Sequence, residues 1–137
     1  MRACAEAAYA PYVPRIGRRP APMDADFAAL VAQDHVAVAL LDGVPAGYVV
    51  AYPRGDHVHV ENLAVLPGLQ GRGVGGALLD HAEGQARAAG LAAVELYTNA
   101  AMVENLSYYP RRGYATTGHR REDGFDRVYF RKQLGPG

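Results

Sequence analysis

The stretch that most constrains this fold runs from Val58 to Ala77, V-H-V-E-N-L-A-V-L-P-G-L-Q-G-R-G-V-G-G-A. Its first part is β-branched and alternates in polarity, as a strand does. Pro67-Gly68 breaks that strand, and a glycine-rich turn follows. From Gly73 onward Val74, Leu78, Ala82 and Ala86 keep helical spacing on one stripe. A turn stripped of side chains lets several backbone N–H groups converge on one anion, and the helix it opens adds partial positive charge. The stretch predicts a strand–turn–helix unit that holds something phosphorylated.

Size and charge bound the rest. A chain of 137 residues matches one domain, 1–137, with room for a sizeable core. Fourteen basic and fourteen acidic residues cancel, which removes any global electrostatic case for nucleic acid or an anionic membrane as partner. No apolar run reaches the length of a spanning helix. Glu6 stands where an export signal would need apolar residues, so a cytoplasmic protein is expected. The single Cys4 excludes an internal disulfide and a cysteine-built zinc site, and no metal site is predicted.

Taken in order, residues 1–10 read as the end of an alanine-rich helix stopped by Pro11. The segment 12–22, with three arginines and three prolines, reads as a loop. Helical spacing resumes through Phe27, Leu30 and Val31, with Asp24 as N-cap. Apolar strands are predicted at 36–41 and 47–52, joined by a hairpin at D-G-V-P, and the motif strand at 57–66 follows a turn at Arg54-Gly55-Asp56. The helix from Gly73 should stop at Gly90, and 91–97 should be a buried strand parallel to the motif strand. A short helix at 101–112 and an antiparallel pair at 114–117 and 127–130 complete an α/β chain with a mixed sheet.

Two phosphate patterns overlay the glycine turn. Gly71-Arg72-Gly73-Val74-Gly75-Gly76 satisfies the G-x-G-x-x-G dinucleotide fingerprint, with Glu95 about twenty residues on. That fingerprint should begin at the end of its strand, whereas P-G-L-Q intervenes here, and too little chain follows for a doubly wound domain. The other overlay is Gln70-Gly71-Arg72-Gly73-Val74-Gly75, a Q/R-x-x-G-x-G/A pattern placed after N-L-A-V-x-P. Together with E-N-L-S-Y-Y-P-R-R-G-Y at 104–114, it closely resembles the GNAT superfamily of acyl-CoA-dependent N-acyltransferases, over about residues 36–131.

The resemblance implies a GNAT-like mixed, mostly antiparallel sheet with a central splayed parallel pair, flanked by helices. It implies acetyl-CoA as acyl donor and a small-molecule or peptide amine as acceptor, attacked directly in a ternary complex. Backbone amides from Leu69, Gln70, Gly71, Arg72, Gly73, Val74, Gly75 and Gly76 would hold the coenzyme A pyrophosphate. A solvated Arg72 is an equally good reading of that side chain. Pantetheine would pair with backbone at Leu63, Ala64 and Val65, and Asn99 and Asn105 would contact the cofactor, unless Asn99 only caps the next helix.

Acyl transfer to an amine needs a base, because an amine with pKa near 10.4 is neutral in only about one molecule in two or three thousand at pH 7. Alternation puts His57, His59 and Glu61 on one face of the motif strand. The resemblance marks Glu61 as first choice of base and His59 as second, and Tyr109 as the acid that protonates the departing thiolate. Tyr108 would then be a core aromatic, and Pro110 should kink or end the short helix near Tyr109.

Two departures from the family pattern stand out. Met1 falls within what would be the family's first helix, so the first strand is expected to be missing, and an exposed sheet edge would favour a homodimer. The loop carrying Tyr12, Arg15 and Arg18 lies where the family places acceptor contacts, and its arginines would suit a carboxylate or phosphate beside the amine. A non-catalytic acyl-CoA-binding or interaction module of the same fold is the alternative to an enzyme.

Overall fold

The computed structural model describes residues 35–69 and 71–135, with Cys4, Ala10 and Pro14 as isolated positions before them. The expectations for the first helices, for a missing first strand, for the loop residues Tyr12, Arg15 and Arg18, and for Gln70 lie outside the described residues.

The described elements run β1 (Val36–Leu41), β2 (Val44–Arg54), β3 (His57–Val65), a 3₁₀ turn (Pro67–Leu69), α1 (Val74–Ala88), β4 (Ala93–Asn99), α2 (Val103–Arg111), β5 (Ala115–Glu122) and β6 (Phe125–Gln133). Among the described residues they form one six-stranded sheet in the order β1-β2-β3-β4-β6-β5. Only β3 and β4 pair in parallel; every other ladder is antiparallel. The expected mixed, mostly antiparallel sheet with a central parallel pair is what the chain forms. Tight turns set its registers. Asp42-Gly43 and Asp123-Gly124 each take positive φ at both central positions, the conformation that suits a two-residue hairpin and a right-handed strand twist.

The helix α1 crosses over between the parallel strands and packs on one face of the sheet. It buries Val74, Leu78, Leu79, Ala82 and Ala86 against Val49, Ala51, Val58, Val60 and Val94. Leu78 and Leu79 are almost fully buried, and each stabilises the fold by about 1.5–3 kcal/mol. Gly47 on β2 leaves no room for a side chain under the helix: a β-carbon there would lie 2.5 Å from the Ala64 carbonyl oxygen and 3.2 Å from Val74 Cγ1. The helix ends as expected, with Ala89 as C-cap and Gly90 at φ 72°.

Strands β2, β5 and β6 are longer than their apolar runs predict. Their ends are carried by polar residues such as Arg54, Arg120 and Arg131, which pair across the ladders instead of being buried. The short helix also runs past its proline. Pro110 sits in the last turn of α2 and the helix continues to Arg111, so the proline does not end it at Tyr109.

Candidate functional site

The parallel pair is in register for only four positions, His57–Ala93, Val58–Val94, His59–Glu95 and Val60–Leu96. Beyond Val60 and Leu96 the two strands part, and each continues without the other to Val65 and Asn99. The parting begins at a β-bulge. Asn62 faces Val50 and Val60 faces Ala51 on β2, so Glu61 is the extra residue. Strict alternation fails there. Val58 and Val60 lie on the α1 face, but after the bulge Leu63 and Val65 pack against that core, rather than Asn62 and Ala64.

The opened gap is a cleft lined by Val60, Glu61, Asn62 and Leu63 on one strand and Leu96, Tyr97, Thr98 and Asn99 on the other. Met102, Asn105 and Tyr109 of α2, with Phe125 and Arg127 of β6, close its remaining wall.

At the far end of β3 the glycine turn meets α1. Gly71 and Gly73 take φ 81° and 83°, a left-handed conformation that strains any residue with a β-carbon. Gly73 is also the N-cap, and it offers no side-chain oxygen to the helix. The first helical bond runs from the Ala77 N–H to the Gly73 carbonyl at 3.0 Å, so the N–H groups of Val74, Gly75 and Gly76 precede the helical ladder. No acidic side chain stands in this first turn. Gly75 and Gly76 have another reason to be glycine. A β-carbon at Gly75 would sit 3.2 Å from the Tyr108 hydroxyl oxygen, and one at Gly76 would sit 3.0 Å from the Arg112 guanidinium. Arg112 donates to the Gly76 carbonyl and to Asp80, both at 3.3 Å, which ties α2 to the start of α1. Arg72 is exposed.

Of the proposed catalytic groups, Glu61 and Tyr109 line the cleft and His59 does not. Glu61 accepts a hydrogen bond from the Tyr52 hydroxyl at 3.4 Å. Tyr109 is buried among the rings of Tyr108, Tyr114 and Phe130. Burial pushes its hydroxyl pKa above the ordinary tyrosine value, so it stays protonated at neutral pH. His59, 8% exposed, lies between the rings of Tyr52 and Tyr97 on the face opposite α1. Burial first, then the nearby positive charge of Arg54, lowers its pKa to about 4 and keeps it neutral. His57 is held by Asp56 at 3.0 Å, away from the cleft.

The two asparagines are partly committed. Asn105 donates to Thr98 Oγ1 at 3.0 Å, and Asn99 accepts from the Ala101 N–H at 2.9 Å, forming a turn before α2. Both still line the cleft. Sequence reasoning missed Asn62, Tyr97 and Arg127. Asn62 is buried and donates to the Tyr48 hydroxyl at 2.7 Å.

A sheet split between two parallel strands, with a glycine turn at the head of the crossover helix, is the architecture of the GNAT fold. Comparison with known proteins agrees. Residues 2–114 match the Acetyltransferase (GNAT) family model, and the chain belongs to that family. No curated protein matches the chain. Among solved structures, a GCN5-related N-acetyltransferase from Rhodopseudomonas palustris shares the fold at TM-score 0.77 and 24% identity, over 97% of this chain and 87% of that one. A GNAT family acetyltransferase from Elizabethkingia anophelis with acetyl-CoA bound superposes at TM-score 0.67 and 20% identity, over 82% and 87%. A nourseothricin acetyltransferase is 29% identical at TM-score 0.63, over 67% of this chain but only 59% of that protein's length. No helix among the described residues is long and apolar enough to cross a membrane.

Proposed function

We propose that this family member is an N-acetyltransferase that uses acetyl-CoA and acetylates a primary amine by direct attack in a ternary complex. The observation that carries the reading is the split of β3 from β4 after Val60–Leu96, with Glu61 and Tyr109 both lining the resulting cleft. The chain's groups fit the donor. Left-handed Gly71 and Gly73, the N–H groups ahead of the α1 ladder and the acid-free first turn suit a pyrophosphate. The extended edge of β3 from Leu63 to Val65 suits the amide-bearing pantetheine, and Asn99 and Asn105 offer polar contacts along it.

When bound, the donor supplies an activated acetyl thioester. Glu61 takes the proton of the acceptor ammonium, directly or through water, with Tyr52 orienting its carboxylate. His59 is set aside as the base because it stands outside the cleft and its protonated form is disfavoured by burial. Tyr109 keeps its proton at neutral pH and gives it to the sulfur that leaves. The likeness to a nourseothricin acetyltransferase supports a small-molecule acceptor.

Titration calorimetry with CoA and NAD, followed by thiol release from acetyl-CoA over a panel of small amines and peptides, tests the reading. CoA should bind, NAD should not, and thiol release should depend on an amine. CoA binding with no release across a broad panel would favour a non-catalytic binding module.

A further inference from the structure

One cationic side chain in the cleft has no part in the chemistry above. Arg127 lies on β6 opposite Asn99, at the open end of β4, and its side chain is only 12% exposed. Its guanidinium stacks 4.5 Å from the centre of the Tyr97 ring and 5.6 Å from that of Phe125. Two carboxylates approach it, Glu122 at 4.0 Å and Asp123 at 3.7 Å, and neither reaches hydrogen-bonding distance. Glu122 is already engaged by the Tyr129 hydroxyl, and Asp123 is 84% exposed on a hairpin turn. Among the described residues the Arg127 guanidinium therefore donates no hydrogen bond, although it holds a planar fork of donors beside a cleft.

The charged groups that line the cleft itself are separated by sign. Glu61 is the carboxylate on the β3 wall and Arg127 the cation on the β6 wall, with Tyr97 on the strand between. Two strand spacings separate those walls, about 10 Å before the splay widens them. The other arginine on this face near β4, Arg131, is already saturated by Asp56 and Glu95. Arg120 sits over Tyr129, one strand further out.

Resting on the acetyltransferase reading, we infer that Arg127 is a specificity-determining residue. It binds an oxyanion, carboxylate or phosphate, carried by an acceptor whose amine lies at Glu61. The acceptor class is then a zwitterionic amine, such as an amino acid or amino phosphonate. A bidentate, partly desolvated Arg–oxyanion contact is a strong charge-assisted pair, and its loss weakens binding by about 10- to 100-fold.

The test is titration calorimetry on the CoA-loaded protein with three matched ligands, phenethylamine, phenylalanine and the corresponding aminophosphonate, followed by turnover on the same set. Wild type should bind one or both anionic members at least about tenfold more tightly than the amine. The preferred arm tells carboxylate from phosphate. Arg127→Gln should abolish that preference while the protein still binds CoA, and Arg127→Lys should keep part of it. Tighter binding of phenethylamine overturns the inference. So does binding of none of the three, or an equal loss for all three in Arg127→Gln. Anion-selective binding without turnover would leave the Arg127 site standing and overturn the catalytic reading instead.

Discussion

Tyr109→Phe separates chemistry from folding unusually well. The ring of Tyr109 packs against Tyr108, Tyr114 and Phe130 at centroid distances of 5.3, 5.8 and 5.6 Å, and phenylalanine keeps all three contacts. Its hydroxyl makes no hydrogen bond among the described residues, so removing it leaves no partner stranded and should change stability by less than about 0.5 kcal/mol. As the proton donor to the leaving sulfur, the same hydroxyl should contribute about 10² to 10⁴ in rate, or roughly 3–5 kcal/mol of barrier. Tyr114→Phe is the matched control. Its hydroxyl donates to buried Glu83 at 3.1 Å, so its loss should destabilise the fold by about 1–3 kcal/mol and leave kcat almost unchanged. Steady-state thiol release and urea unfolding on both variants give the four numbers needed. Wild-type kcat in Tyr109→Phe would refute its role as acid. A fall in kcat matched by an equal loss of stability would point to packing alone.

Other expected outcomes follow from single contacts. Gly47→Ala places a β-carbon 2.5 Å from the Ala64 carbonyl, so backbone must move; a loss of about 2–3 kcal/mol by urea unfolding is expected, and near-neutral behaviour would contradict the close strand contact. Gly73→Val forces a β-branched residue into φ 83° at the head of α1, and should weaken CoA binding more than tenfold by calorimetry. His59 has a folded pKa of about 4 against 6.5, so the unfolded chain binds the extra proton between those values and stability falls as pH falls. From pH 7 to 5 that group alone removes about 2 kcal/mol. His59→Phe, which keeps the stacking with Tyr52 and Tyr97, should flatten this part of the pH–stability profile. An unchanged slope would mean His59 is not buried neutral.

The fold was legible because its decisive signals are local. Strand, glycine turn, crossover helix and Gly90 stop are written in residues 58–90, and the DG dipeptides at 42–43 and 123–124 announce the outer hairpins. What the sequence concealed depends on neighbours. The bulge at Glu61 exists only as a mismatch with β2, and it decides which residues of β3 face α1. Arg127 is far from the glycine turn in sequence, so nothing nearby suggested that β6 would bring it to the cleft beside Tyr97. His59 and Glu61 share a strand face in the sequence pattern, but His59 is still paired with Glu95 before the strands part, so only Glu61 meets the cleft.

The most direct measurement of the central claim is the fate of the acetyl group itself. The protein is incubated with isotopically labelled acetyl-CoA and the amine panel, and the products are resolved by mass spectrometry. An intact labelled acetyl group on the amine nitrogen, formed only with enzyme and lost in Tyr109→Phe, is the predicted result. Label that remains wholly in acetyl-CoA, or appears only as free acetate whatever amine is supplied, would contradict it.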